Sequence, residues 1–161
     1  VEHEIVIDDA LSAAAIADLR RRRGGDFEEL LGFKEAGRWR RLTPAMVNDH
    51  VRELSGLEVT TKDFRTWHAT VLAAVALAEQ TGQEGAAATV RARRRREAAA
   101  MREVAQYLGN TPAVARSSYV DPRVLELHEQ GRTIRVPAGD EGGPDRRDAA
   151  ERALLRLLGR A

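Results

Sequence analysis

Three residues in two stretches of this chain carry side chains able to act together on an anion. The first stretch is Thr60-Thr61-Lys62-Asp63-Phe64-Arg65-Thr66-Trp67-His68-Ala69-Thr70-Val71-Leu72. Phe64, Trp67, Val71, Val75 and Ala78 recur at helical spacing and predict a core stripe. Arg65 lies off that stripe, in a column with Ala69, Leu72 and Ala76, near the helix N-terminus. A cation gains nothing from the helix dipole at that end, so the guanidinium needs a fixed anionic partner. A phosphate held together with free backbone N–H groups is one such partner. An ion pair to Asp63, or to a carboxylate elsewhere, is the other.

The second stretch is Leu108-Gly109-Asn110-Thr111-Pro112-Ala113-Val114-Ala115-Arg116-Ser117-Ser118-Tyr119-Val120-Asp121-Pro122. Tyr119 falls between two short predicted helices, after two serines and before a restart at Asp121-Pro122. At such a junction a tyrosine is able to project its hydroxyl, a nucleophile once it is positioned or activated. Asn110 lies where a loop meets a helix, with an amide able to donate to an oxyanion. The plainer alternatives are a packing role for Tyr119 and a helix C-cap role for Asn110.

The elements that must position these groups are mostly helical. Alanine and leucine dominate a composition that is 43% apolar and 4% aromatic over 161 residues, a balance that favours helix over sheet and suffices for one core. The patterning predicts a short strand at 3–7, a helix over 10–23 capped by Asp8-Asp9 and stopped by Gly24-Gly25, and a hairpin over 30–42 turning at Glu35-Ala36-Gly37. Thr43-Pro44 opens a helix that Gly56 closes. Thr60 or Thr61 caps the most apolar helix, 62–80, and 81–85 reads as a break. Further helices are expected over 86–108, from Thr111-Pro112 to about Ser118, and from Asp121-Pro122 through Gln130. A Gly/Asp/Glu/Pro-rich linker over 138–145 precedes a last amphipathic helix, 145–158, with Ala149, Ala153, Leu154, Leu157 and Leu158 on one side. The fold class is therefore mainly α with a small β element.

Composition also bounds the function. The chain has no cysteine, which excludes disulfides and thiolate metal sites. His3, His50, His68 and His128 are scattered and suggest no metal centre. No apolar run reaches the length of a membrane span. The net charge is only +1, yet the basic residues are almost all arginine, the residue suited to bidentate phosphate contacts. The clusters Arg20–Arg23 and Arg91–Arg96 permit a DNA partner without demanding one, since such clusters also serve as solvated helix faces.

Lys62-Asp63-Phe64-Arg65-Thr66-Trp67, followed by Leu108-Gly109-Asn110-Thr111-Pro112 and Ser117-Ser118-Tyr119, resembles the bacterial and poxvirus-like class of type IB DNA topoisomerases. The resemblance is closest over 57–127 and extends back to the region of 1–7; nothing after about 138 takes part. It implies the helical catalytic fold shared with tyrosine recombinases, the DNA breaking-rejoining enzymes. It implies a catalytic domain whose C-terminal portion is 1–137, with 138–161 a linker and appended helix. It also implies a DNA partner, a monomeric cytoplasmic, nucleoid-associated enzyme, and no cofactor.

By the same resemblance, Tyr119 attacks a DNA phosphodiester to give a 3′-phosphotyrosyl link and a free 5′-hydroxyl, without metal or ATP, and supercoils relax before resealing. Arg65 and Asn110 are the implied donors to the non-bridging oxygens. Lys62 is an implied DNA contact near the scissile phosphate, and Arg116 a further candidate for a backbone contact. The family also uses a second arginine and a general-acid lysine, both upstream of the segment resembling 3–7, and Lys34 stands in the wrong loop to replace the lysine. Three of five active-site groups are thus expected here, and little activity from these residues alone. Thr70 stands where the poxvirus type has asparagine, which removes one expected DNA contact.

Tyrosine site-specific recombinases are the nearest rival. They usually carry histidine three residues before the arginine, where this chain has Lys62, and Gly-His where it has Gly109-Asn110. A non-catalytic helical DNA-binding module using Arg91–Arg96 is the alternative from another class, and a protein-interaction bundle is a third.

Overall fold

The computed structural model describes residues 9–84, 89–135 and 144–159. They form two compact units that divide between Thr61 and Lys62. The strand expected at 3–7 lies outside the described residues, as does the expected linker up to Pro144.

In the first unit, Asp9 caps α1 (Ala10–Arg20), its Oδ2 accepting the Ser12 N–H at 2.6 Å. The helix stops three residues short of the expected end. Arg22 instead lays its guanidinium 4.0 Å from the Phe27 ring centroid and donates to the carbonyls of Phe27 and Glu29. A short hairpin follows, β1 (Gly32–Glu35) against β2 (Arg38–Arg41), with Phe33 opposite Arg40 and Lys34 opposite Trp39. Ala36 and Gly37 have φ of 48° and 78°, the positive pair that a two-residue turn of this hand requires. Gly32 is required by close approach, because a Cβ there would meet the Phe27 ring at 2.6 Å and the Arg40 carbonyl at 2.9 Å. In α2 (Pro44–Ser55), Thr43 caps the start and Gly56, in the left-handed region, closes the end.

The second unit is built on α3 (Thr61–Glu84), which continues past the start of the break expected at 81–85 and takes in 81–84. Thr81 does not cap a new segment; its hydroxyl donates back to the Leu77 carbonyl at 2.7 Å. The expected core stripe needs correction as well. Phe64 is 61% exposed, while Ala69, Ala73, Ala74 and Ala76 are buried together with Thr70, Val71 and Leu77. The middle of α3 is enclosed on most sides, and its small side chains admit close neighbours; at its N-terminal end even a phenylalanine remains in solvent.

Around α3 lie α4 (Val90–Leu108), α5 (Pro112–Ser118), α6 (Pro122–Glu129) and α7 (Pro144–Leu158). The sequence places the start of α4 four residues too early, since Thr89 is its cap. Met101, Val104, Ala105 and Leu108 of α4 join Ala115, Val124 and Leu125 in one core, and α7 completes it with Ala150 and Leu154. Arg146 of α7 also pairs with Glu79 of α3. Of the arginine cluster, Arg91, Arg94 and Arg95 are exposed and Arg96 is buried. The architecture is mainly α, with a small two-stranded sheet among the described residues. No helix of the described residues is long and apolar enough to cross a membrane.

Candidate active site

The candidate residues from Lys62 onward all lie in the second unit, on three elements. Lys62 and Arg65 occupy the first turns of α3. Leu108 ends α4, and Gly109, with φ 67°, lets the chain turn. The Gly109 N–H reaches the Gln106 carbonyl and the Asn110 N–H the Ala105 carbonyl, the paired bonds that terminate many helices at glycine. Thr111 and Pro112 then start α5, whose C-cap is Tyr119, and Asp121 caps α6.

Arg65 joins these elements. Its Nη2 donates to the Leu108 carbonyl at 2.5 Å, and its guanidinium carbon lies 5.4 Å from the centroid of the Tyr119 ring. A cation unrewarded at the start of its own helix thus sits at the carbonyl end of another, where the dipole favours it. Lys62 brings a second charge, its Nζ 5.8 Å from the same ring centroid. Cation–ring contacts of this kind hold about 0.5–1 kcal/mol at exposed sites. Tyr119 itself is half-buried and packs on the core.

Asn110 has an unusual side chain. Its Nδ2 is enclosed and has no hydrogen-bond partner. A buried donor without an acceptor costs about 1–3 kcal/mol, a cost that an anionic oxygen at this position would offset. The C-cap of α4 is Gly109 rather than Asn110; the Asn110 N–H adds the second closing bond, and its Nδ2 is left without a partner.

Arg116 faces elsewhere. Its Nη1 donates to Glu97 Oε2 at 3.2 Å, and the other oxygen of Glu97 lies 3.4 Å from His128 Nδ1. Glu97 and His128 are 5% and 2% exposed, so this network ties α4, α5 and α6 together from within. Arg116 keeps about half of its side chain in solvent. Thr70 is 2% exposed, with its hydroxyl turned to the backbone around Tyr119 rather than to an outer surface.

Sequence reasoning missed Glu97, His128 and the structural use of Thr70. A threonine amid apolar residues was a legible sign of a buried hydroxyl, whereas Glu97 is hidden at the end of an arginine run. A groove of about 340 Å³ is lined by Val71, Leu72, Val75 and Ala150 together with His68, Tyr107 and the charged Glu79, Glu103, Arg146 and Arg147, and includes none of the candidates. Within it the His68 ring lies 4.9 Å from that of Tyr107. Burial holds the His68 imidazole below its usual pKa; the charge of Arg147 adds to this and Glu151 opposes it.

Among protein families, the model of the eukaryotic DNA topoisomerase I catalytic core matches residues 27–135, a span that contains all five candidates. No curated protein matches the chain.

Proposed function

Because the chain belongs to the DNA topoisomerase I catalytic-core family, we propose that it carries the nucleophile of a type IB enzyme, of the bacterial and poxvirus-like class, acting on duplex DNA. The observation that carries this reading is the placement of the Arg65 guanidinium between the Tyr119 ring and the carbonyl that ends α4. Three stretches separated in sequence meet there, and Asn110, whose Nδ2 is enclosed without a partner, follows two residues after Leu108.

Tyr119 Oη forms a bond to phosphorus while the bond from phosphorus to the 5′-oxygen breaks. The departing oxygen takes a proton, in the resembling family from a lysine upstream of 3–7. The strand keeps its 3′-phosphate on the tyrosine until the 5′-hydroxyl returns, so the phosphodiester is restored without ATP or a metal. Charge gathers on the non-bridging oxygens in the transition state, and Arg65 and Asn110 are the donors to them. Loss of one such donor costs about 3–4 kcal/mol of transition-state stabilisation. Lys62 adds charge near the phosphate, and the solvent-facing half of Arg116 serves as a contact to the DNA backbone. Residues 1–137 form the catalytic portion. The linker and helix of 138–161 are appended to it in function, although α7 shares the core in structure. The enzyme acts as a monomer in the cytoplasm, on the nucleoid.

The test is trapping on a nicked suicide duplex, with these residues alone and with the family's upstream segment restored. Relaxation of a supercoiled plasmid by the extended protein, without metal or ATP, supports the reading. Strand exchange at one sequence without relaxation would replace it with a recombinase.

A further inference from the structure

We infer that Thr70, in the middle of α3, is the positioning residue for the nucleophile: its hydroxyl oxygen anchors the Asp121 N–H, beside the Tyr119 carbonyl, and so sets where the Tyr119 phenol rests. The inference depends on the proposed role of Tyr119 and deepens it.

Tyr119 is the C-cap of α5 and Asp121 the N-cap of α6. The chain therefore leaves one helix and enters another with Val120 alone between the caps. Backbone groups at such ends lack partners within their own helices. The Asp121 N–H donates to Thr70 Oγ1 at 3.1 Å, and the Tyr119 carbonyl lies 3.3 Å from the same oxygen. The hydroxyl has one proton and two carbonyls within reach, the other being that of Thr66 at 2.8 Å. The shorter bond, to a residue one helical turn earlier, holds the side-chain rotamer in which a lone pair meets the Asp121 N–H. Thr70 is 2% exposed, so solvent does not stand in for it.

Val120, between Tyr119 and Asp121, is itself buried at 5% exposure. The Asp121 N–H is thus bonded to one oxygen on a helix 51 positions earlier in the chain, and the Tyr119 carbonyl, 49 positions from that oxygen, lies beside it. The same helix carries Lys62 and Arg65. Thr70 therefore couples the position of the nucleophile to that of the cations beside it, without touching the reacting atoms.

The experiment compares Thr70→Val, which keeps the shape and removes the hydroxyl, with Thr70→Ser, which keeps the hydroxyl. Wild type and Tyr119→Phe are run alongside on the nicked duplex. Adduct formation at saturating DNA, DNA affinity and amide exchange at Asp121 are read separately. Thr70→Val should form adduct about 10–100-fold more slowly, with DNA affinity unchanged and the Asp121 amide exchanging faster. Thr70→Ser should restore both rate and protection. Wild-type rate and protection in Thr70→Val would overturn the inference, as would a serine variant as impaired as the valine one. Should Thr70→Val fail to fold, Thr70→Ala set against Thr70→Ser makes the same comparison. All variants are made in the protein extended by the family's upstream segment; an extended wild type without adduct, or an adduct on Tyr119→Phe, defeats the tyrosine reading instead. Exchange at Asp121 then decides by itself whether the hydroxyl anchors this junction.

Discussion

Arg65 donates to the carbonyl of Leu108 at 2.5 Å, across 43 positions of sequence. The bond ties the first turns of α3 to the last residue of α4, and it leaves the guanidinium facing the Tyr119 ring. One side chain thus closes a helix end and supplies positive charge to a half-buried phenol. A phosphate arriving at this place meets a cation already held in position.

Substitution at Arg65 should separate these two roles. Arg65→Ala is expected to slow adduct formation by about 10²–10³-fold, while stability falls by about 1.5–3 kcal/mol for the lost charge-assisted hydrogen bond. Arg65→Lys should recover little of the rate, since an ammonium lacks the planar fork that grips two phosphate oxygens. Single-turnover cleavage and a melting curve check both effects.

Asn110→Ala should show the opposite balance from an ordinary buried amide. Its Nδ2 has no partner to lose, so stability should stay constant or rise, whereas cleavage should fall by about 10²-fold or more. Equal losses in stability and rate would make the amide a structural group.

How much of this was legible beforehand depends on whether the signal was local. The capped starts at Thr43-Pro44, Thr111-Pro112 and Asp121-Pro122 and the glycine stops at Gly56 and Gly109 follow from short-range chemistry, and the structure has them where expected. The Ala36-Gly37 turn is of the same kind. Burial along α3 was not legible in the same way. Whether Phe64 or Thr70 is covered depends on which helices pack where, and periodicity favoured the larger side chain. The meeting of Arg65 with Leu108 and Tyr119 is likewise tertiary. Only the resemblance of two separated motifs pointed to it.

Glu97 is expected to be the most sensitive polar position. It is buried between Arg116 and a buried His128, and removing one partner of such a buried network costs about 3–5 kcal/mol. Glu97→Ala should therefore lower stability by that order in urea denaturation. Arg116→Met should cost less, because about half of that side chain is already in solvent.

Acid should weaken the second unit through His68. Its folded-state pKa is held down by burial, assisted by Arg147, so below about pH 6.5 the unfolded chain binds the proton more readily than the folded one. The stability contributed by neutral His68 is full above that pH. It is lost as pH falls from there through the lowered folded value. Denaturation at pH 5 and pH 7.5 should show a smaller difference for His68→Gln than for the wild type.

Peptide mapping of the covalent product by mass spectrometry bears most directly on the central claim. Only Tyr107 and Tyr119 are available as tyrosines, and Tyr107 is 59% exposed, so the chain supplies its own control. The expected result is a 3′-phosphonucleotide on the peptide containing Tyr119, lost in Tyr119→Phe and kept in Tyr107→Phe. A nucleotide on Tyr107, or an adduct that survives Tyr119→Phe, would contradict it.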